Sequence, residues 1–215
     1  MRKFVAYFVV AFSLLIIYGS IAFSIITHVE YEINTTLILS SLFLNLLIMF
    51  LPAILFVYLV YGRVWHELYF RKEGAIKSTI YGISFSLLFI LLTSLIIWIS
   101  GYNEANPLAE EIRKNMNLPL LFLIPFLSAL TEETYFRGLI QMQMERKGNA
   151  LVAIVVSSLL FSLAHLEYGT YIQIIMPFVF GIVLGILMHF CKNVMAPISA
   201  HFMYNFISLT ISACS

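Results

Sequence analysis

The sequence predicts an all-α fold, a polytopic bundle of transmembrane helices with about seven spans. Of its 215 residues, 61% are hydrophobic and only 11% are charged, and the mean hydropathy is +0.97. Soluble domains carry about 25% charged residues. Apolar runs of about 20 residues, the length that crosses the hydrocarbon core of a bilayer, recur along the chain. We therefore predict a single integral membrane domain over residues 1–215.

Seven apolar segments are predicted to span the membrane. They cover approximately residues 4–27, 36–61, 79–100, 118–144, 150–166, 171–190 and 194–213. The first is too long for the apolar region of a signal peptide, about 7 to 15 residues, so we expect it to remain as a helix. Between the second and third spans, residues 62–78 predict an amphipathic helix on the cytoplasmic surface. Gly181 and Gly185 form a GxxxG pattern in the sixth span, which predicts close helix packing.

The positions of Lys and Arg predict the orientation. With the N-terminus in the cytoplasm, the outer loops hold only Arg113 and Lys114, and Arg137 lies within a span. The other nine of the 12 lie on the inner side: Arg2, Lys3, Arg63, Arg71, Lys72, Lys77, Arg146, Lys147 and Lys192. This excess follows the positive-inside rule and places the C-terminus outside. No dense basic run is present, which argues against nucleic acid as a partner.

The fourth span contains two adjacent carboxylates and a guanidinium, those of Glu132, Glu133 and Arg137. A central ion in a bilayer costs from a few to about 10 kcal/mol or more, so this cluster requires a reason. Glu133 and Arg137, at i,i+4, share a helical face, and Glu132 points to an adjacent face. Repulsion between the carboxylates favours an acid and a base in one place. A purely structural salt bridge would leave Glu132 without a role.

Two further spans carry polar residues. His165 ends the fifth, and His201 and Asn205, at i,i+4, share one face of the seventh. At about 1.5 Å per residue, Glu132 and His165 both lie roughly 20 Å from their cytoplasmic helix ends, but His201 lies only about 10 Å from its own. The mismatch predicts that the last span begins earlier, or is tilted or broken near Pro197. His165 alone would indicate an interhelical hydrogen bond, but three polar helices favour a site.

Three motifs together resemble a known family. Residues 132–137 fit EExxxR, residues 161–165 fit FxxxH and residues 201–205 fit HxxxN. Their order and rough spacing resemble the CPBP intramembrane proteases, the CAAX protease and bacteriocin-processing family, also called Abi proteins or type II CAAX prenyl endopeptidases. The resemblance covers about residues 79–213 as a CPBP-like catalytic core. It leaves residues 1–78 as a variable part with two spans and the amphipathic segment.

The resemblance implies an intramembrane endopeptidase and a role for each motif residue. Glu132 would be the general base that activates water, assisted by His165. Glu133 and Arg137 would orient and balance the site. His201 and Asn205 would form the oxyanion hole.

The candidate site residues and the family resemblance also lead to expectations about cofactors and partners. We expect no obligatory cofactor, because Arg137 already supplies positive charge beside the carboxylates. The alternative is a divalent metal such as zinc, with Glu132, His165 and His201 as candidate ligands. The expected partners are the lipid bilayer, most simply a bacterial plasma membrane, and a membrane-associated peptide or a prenylated or otherwise lipidated protein substrate.

Two other functions could use these residues. A non-catalytic membrane scaffold or bacteriocin immunity protein would bind a peptide without cleaving it, but it need not retain the complete motif set. A proton or ion transporter would use intramembrane Glu and His as relays. The lack of internal repeats disfavours a transporter.

Overall fold

The computed structural model describes residues 1–27, 32–101, 112, 114–166 and 172–214, and within these ranges it contains helices and no strands. The predicted all-α fold is confirmed. The helices are α1 (Arg2–Thr27), α2 (Thr35–Asn45), α3 (Leu51–Tyr61), α4 (Val64–Glu67), α5 (Ala75–Ser100), α6 (Leu118–Glu133), α7 (Met142–Glu145), α8 (Ala150–Leu163), α9 (Ile172–Cys191) and α10 (Met195–Cys214). Two π-helical stretches, Leu46–Phe50 and Thr134–Gln141, join α2 to α3 and α6 to α7.

When α2 and α3, and likewise α6 and α7, are each counted as one segment through the π-helical stretch between them, the described residues form seven long helical segments. These segments follow the predicted spans in order. They cover residues 2–27, 35–61, 75–100, 118–145, 150–163, 172–191 and 195–214. Among the residues that the structure describes, four stretches are long and apolar enough to cross a membrane: Arg2–Thr27, Thr35–Tyr61, Ala75–Ser100 and Ile174–Cys191. Ala150–Leu163 is apolar but shorter. These helices make the chain an integral membrane protein.

Large apolar side chains face outward and charged side chains lie inside, which is the reverse of a water-soluble protein. On α5, the side chains of Leu91, Ile96 and Trp98 are 65%, 64% and 78% exposed. In contrast, Glu133 and Arg137 are fully buried. A large contiguous apolar surface is unsuited to water, but it matches hydrocarbon, so the polar groups collect inside the bundle.

The segment 118–145, which we call the motif helix, runs parallel to α9. Three contacts join them, each between residues 44 apart: Arg137 Nη2 with Gly181 O (3.2 Å), Gln141 Nε2 with Gly185 O (2.8 Å) and Glu145 Oε2 with His189 Nδ1 (2.9 Å). Both partners advance by four residues, about one turn, so the two helices point in the same direction. An added Cβ on Gly185 would lie 2.9 Å from Cγ2 of Ile154 on α8. The close packing predicted from the GxxxG pattern is confirmed.

The last helix, α10, lies between α5 and the motif helix. The contact with α5 is close at Gly82, where an added Cβ would overlap the Ser199 hydroxyl and the Ala196 carbonyl. Only a residue without a side chain permits this approach. The packing fixes the part of α10 that immediately precedes His201.

The prediction of an amphipathic helix over residues 62–78 is wrong for most of that segment. Helix α4 is a single turn, and residues 68–74 form turns and irregular structure before α5 begins. Leu68 is fully buried and Tyr69 is 7% exposed. The Tyr69 carbonyl accepts a hydrogen bond from Val194 N at 3.0 Å. Tertiary contacts with the turn before α10 therefore replace the surface helix that the local pattern indicates.

Candidate active site

Glu133 lies between Arg137 and His201. Its Oε1 accepts a hydrogen bond from Nη1 of Arg137 at 3.0 Å and lies 2.7 Å from Nδ1 of His201. All three side chains are at most 4% exposed. The i,i+4 pair predicted on the motif helix is therefore present. Through Glu133, the motif helix is also joined to α10.

Glu132 points away from this group and faces His165, just after the end of α8. Its Oε2 lies 4.0 Å from Nε2 of His165, which is too far for a direct hydrogen bond. Oε2 is buried and accepts no hydrogen bond within the described part of the chain. Nδ1 of His165 lies 2.8 Å from the Phe161 carbonyl. A carbonyl only accepts, so Nδ1 carries the hydrogen and Nε2 is the nitrogen that faces Glu132.

Phe161 contacts both histidines and the arginine. Cζ of Arg137 lies 4.3 Å from the Phe161 ring centroid, and the rings of His165 and His201 lie 4.7 and 5.6 Å from it. The side chain is 2% exposed. A buried cation over an aromatic face is attracted to the ring. Phe161 is part of the FxxxH motif, but no role was predicted for it. Its position one helical turn before His165 is the signal in the sequence that places it on the same face as that histidine.

Asn205 lies one turn beyond His201 on α10. Its Nδ2 is 3.4 Å from Oγ of Ser128, on the turn of the motif helix that precedes Glu132. The Ser128 hydroxyl donates to the Ile124 carbonyl at 2.7 Å, so its oxygen can accept from Asn205. The six predicted site residues therefore occupy neighbouring turns of the motif helix, α10 and the end of α8.

Of the explanations predicted for the depth of His201, the structure excludes two. Helix α10 starts at Met195 and is continuous through Pro197, so it neither begins earlier nor breaks there. The predicted tilt stays a prediction, and the turn that precedes α10 is fixed by contacts with two other segments. Lys192 Nζ binds Glu145 Oε2 at 2.6 Å, and residues 68–74 pack against residues 193 and 194.

A π-helical stretch, Thr134–Gln141, begins immediately after Glu133. Its wider turns advance less per residue than an α-helix and frequently mark functional sites. Tyr135 and Phe136 are fully buried within it, and the Tyr135 hydroxyl lies 2.9 Å from that of Ser13 on α1. Nothing in the local sequence distinguishes this stretch from α-helix, so it was not predicted.

Glu145 ends the motif helix in a polar cluster outside the candidate site. Gln141 Nε2 and Lys192 Nζ donate to it at 2.8 and 2.6 Å, and His189 Nδ1 lies at 2.9 Å. Partial burial opposes ionisation of Glu145, but these hydrogen bonds outweigh it and hold its pKa below the ordinary value. The cluster joins the ends of the motif helix and α9.

The candidate metal ligands do not converge on one point. Within the residues described, no group of three or more His, Cys, Asp or Glu side chains is placed to hold a metal ion. Glu132 faces His165, whereas Nδ1 of His201 contacts Glu133. Catalytic zinc commonly takes three protein ligands. The zinc alternative stays a prediction.

Comparisons with known proteins cover the part of the chain that forms the site. Residues 114–207, which include all three motifs, match the family described as Type II CAAX prenyl endopeptidase Rce1-like. The chain is also similar to a protein of Bacillus subtilis (strain 168) called "Uncharacterized protein YpbD", with 23% identity over 130 residues. That alignment covers 59% of this chain and 65% of the relative, so it spans less than two thirds of the relative's length. No solved structure matches. The segment that carries the candidate site, residues 114–207, is therefore similar to the type II CAAX prenyl endopeptidase Rce1-like family.

Proposed function

We propose that this protein is an intramembrane endopeptidase in which Glu132 and His165 activate a water molecule. The observation that carries the proposal is the 4.0 Å separation between Glu132 Oε2 and His165 Nε2. Polar groups at such a distance are suited to sharing a bridging water. Glu132 has no hydrogen-bonded cation on Oε2 among the described residues, so this oxygen can take up a proton.

The reaction is a direct hydrolysis. Glu132 removes one proton from the water while Nε2 of His165 accepts a hydrogen bond from the other. The resulting hydroxide attacks the peptide carbonyl carbon, and Glu132 then delivers its proton to the leaving amine. One C–N bond and one O–H bond break, and one C–O bond and one N–H bond form. General base catalysis of this kind contributes about 10² to 10⁴ in rate.

His201 and Asn205 are the proposed donors to the oxyanion. With Glu133 ionised beside Arg137, Nδ1 of His201 donates to Glu133. Nε2 can then donate only if the ring carries both protons. Asn205 adds a neutral amide donor one turn away.

The proposed substrate is a membrane-associated peptide or a prenylated or otherwise lipidated protein tail. The name of the matching family and the apolar exterior of the bundle support it. We further propose a bacterial plasma membrane, with the N-terminus in the cytoplasm and the C-terminus outside. The parallel direction of the motif helix and α9, which are two spans apart, and the bacterial relative are consistent with this placement.

The test is cleavage of anchored peptides by the purified protein in lipid. The panel contains prenylated CAAX peptides and unprenylated membrane-anchored peptides. Wild type is compared with Glu132→Gln and His165→Ala, and with Glu73→Gln as a control that changes an exposed loop carboxylate. We expect cleavage by wild type and the control, none by Glu132→Gln, and no effect of a chelator. Loss of activity with chelator and recovery with zinc would instead establish a metal enzyme.

A cellular test addresses the non-catalytic alternative. If Glu132→Gln restores the function of a strain that lacks the protein, the endopeptidase proposal is wrong and a scaffold or immunity protein becomes the better explanation. If complementation requires Glu132 but tolerates Glu73→Gln, hydrolysis is supported even before the natural substrate is identified.

A further inference from the structure

An apolar groove of about 440 Å³ lies between α1, α3, α8 and the motif helix. Its walls include Val10, Leu14, Phe56, Ile140 and Leu160. The volume falls within the range of about 300 to 1,000 Å³ that is typical of small-molecule sites. None of the six candidate active-site residues lines the groove. The groove is therefore a separate feature from the candidate active site.

The groove opens sideways, toward the surface that faces lipid. Tyr7 on α1 and Val152 on α8 line it and are 50% and 53% exposed. Both residues lie near the helix ends that are predicted to face the cytoplasm. An apolar opening at this level of an integral membrane protein meets lipid headgroups and the first part of the acyl chains. Hydrocarbon chains of the bilayer can therefore reach the groove directly.

A cation without a carboxylate partner lies at the edge of the groove. Nζ of Lys147 donates to the Tyr7 hydroxyl at 2.8 Å and lies 5.2 Å from the centre of the Tyr7 ring. In the described part of the chain, Lys147 takes part in no ion pair. Its neighbour Arg146 differs, because it binds Glu67 at 2.6 Å. Lys147 is thus the basic group here whose charge is left for an external anion.

Two amide side chains at this edge, those of Asn149 and Gln143, also favour an anion. Oδ1 of Asn149 accepts a hydrogen bond from Leu151 N at 2.7 Å and caps α8. This leaves the amide N–H groups of Asn149 for an external acceptor. Gln143, in the groove lining, accepts from the Tyr61 hydroxyl at 2.6 Å, and its Nε2 has no acceptor among the described residues. The polar edge thus offers donors above an apolar cleft.

We propose that this groove binds an anionic glycerophospholipid of the surrounding bilayer, with one acyl chain between α1 and α8 and the phosphate at Lys147 and Asn149. The apolar walls match the chain, and the unpaired ammonium matches the phosphate. One lysine near a membrane surface favours an anionic over a neutral headgroup by about five-fold. The bound lipid would fill the space between α1 and α8 and hold the first helix against the bundle. The site is separate from the proposed hydrolysis and does not depend on it.

The experiment measures retained lipid. The full-length protein is placed in nanodiscs of equimolar phosphatidylglycerol and phosphatidylcholine, released in a mild detergent, and examined by native mass spectrometry. We expect retained phosphatidylglycerol to exceed phosphatidylcholine in the wild type by about five-fold. Lys147→Gln should bring this ratio close to one. Lys114→Gln, which changes an exposed lysine on the opposite predicted side, should leave the ratio unchanged.

A second variant tests the groove itself. Val152→Trp places a large ring at a residue that is more than half exposed, and it should reduce retention of both lipids while the helix content measured by circular dichroism is kept. An unchanged lipid ratio in Lys147→Gln would overturn the proposal, as would full retention in folded Val152→Trp. Displacement of the lipid by a farnesylated peptide in the wild type would assign the groove to a substrate tail and would also overturn it.

Discussion

Nδ1 of His201 lies 2.7 Å from Oε1 of Glu133, although 68 residues separate them in the sequence. Arg137 donates to the same oxygen at 3.0 Å. Glu133 is therefore committed to two partners inside the bundle. Oε2 of Glu132, like Oε2 of Glu133, has no hydrogen bond among the described residues, but the ionisable partner that Glu132 faces is His165 at 4.0 Å. Two chemically identical side chains, adjacent in sequence, are thus placed in different environments, which is the condition for different functions.

Substitution of each glutamate by glutamine should separate these functions. Glu132→Gln should abolish cleavage and leave stability nearly unchanged. Glu133→Gln should destabilise the protein by about 3 to 5 kcal/mol, because removal of one charge leaves Arg137 buried without its counterion. Peptide cleavage and thermal unfolding in the same detergent measure the two effects. Equal loss of stability in the two variants would contradict this division.

Phe161→Leu tests the aromatic contact with Arg137 and the histidines. Leucine keeps the site apolar but removes the ring on which Arg137 lies at 4.3 Å. Cation–π contacts contribute about 0.5 to 2 kcal/mol, and 1.36 kcal/mol in a barrier corresponds to a factor of about ten in rate. We expect kcat to fall about tenfold with little change in KM.

The matched control is Phe126→Leu. Phe126 is on the same motif helix, but it is 50% exposed on the outside of the bundle. This variant should retain the wild-type kcat. If Phe161→Leu cleaves as fast as Phe126→Leu, the ring of Phe161 does not position the site.

Features that depend on local periodicity were predictable from the sequence. The all-α fold, the order of the helical segments and the close approach at Gly185 all follow from runs and spacings within one stretch of chain. The same holds for the Glu133 and Arg137 pair, since i,i+4 geometry is a property of any helix. The divergence of Glu132 from Glu133 also follows from the helical turn of about 100° per residue.

Features that depend on tertiary contacts were not predictable in this way. The contact of His201 with Glu133 joins α10 to the motif helix, and the turn before α10 is held by the Tyr69 carbonyl in a distant segment. The hydrogen bond from Val194 N to the Tyr69 carbonyl also explains why residues 68–74 do not form a surface helix. Leu68 has the character of a residue on an amphipathic helix, but it is fully buried here. The residues of each contact lie far apart in the sequence, so no pattern within one stretch of chain predicts them.

Gly181→Ala should disturb the packing of the motif helix against α9. An added Cβ would lie 3.0 Å from Cβ of Ser158 and 3.2 Å from Nη2 of Arg137. Overpacking of this kind costs about 1 to 3 kcal/mol, and displacement of Arg137 should also lower the cleavage rate. Gly19→Ala on α1 is the control, since nothing lies within 4 Å of its added Cβ. Thermal unfolding should show a loss for Gly181→Ala and none for Gly19→Ala, whereas equal midpoints would contradict the packing described.

Acidification should weaken the cluster at Glu145. Burial opposes ionisation, but hydrogen bonds from Gln141, Lys192 and His189 hold the pKa of Glu145 below its ordinary value. For a carboxylate with a lowered pKa, the contribution to stability is present above the unfolded-state pKa, about 4.3 for Glu. It is lost as the pH falls through the lower pKa of the folded state. Stability should therefore decline on acidification below about pH 5.

The contribution of Glu145 is isolated by comparing pH profiles. Glu145→Gln cannot ionise, so its unfolding midpoint should be lower than that of the wild type at neutral pH, and the two should converge at low pH. Glu73→Gln, in an exposed loop, should follow the wild-type profile throughout. Other carboxylates titrate in the same range, so the difference between Glu145→Gln and wild type is the quantity to measure. A difference that stays constant from pH 7 to about pH 3 would show that Glu145 stabilises the helix ends through packing and not through its charge.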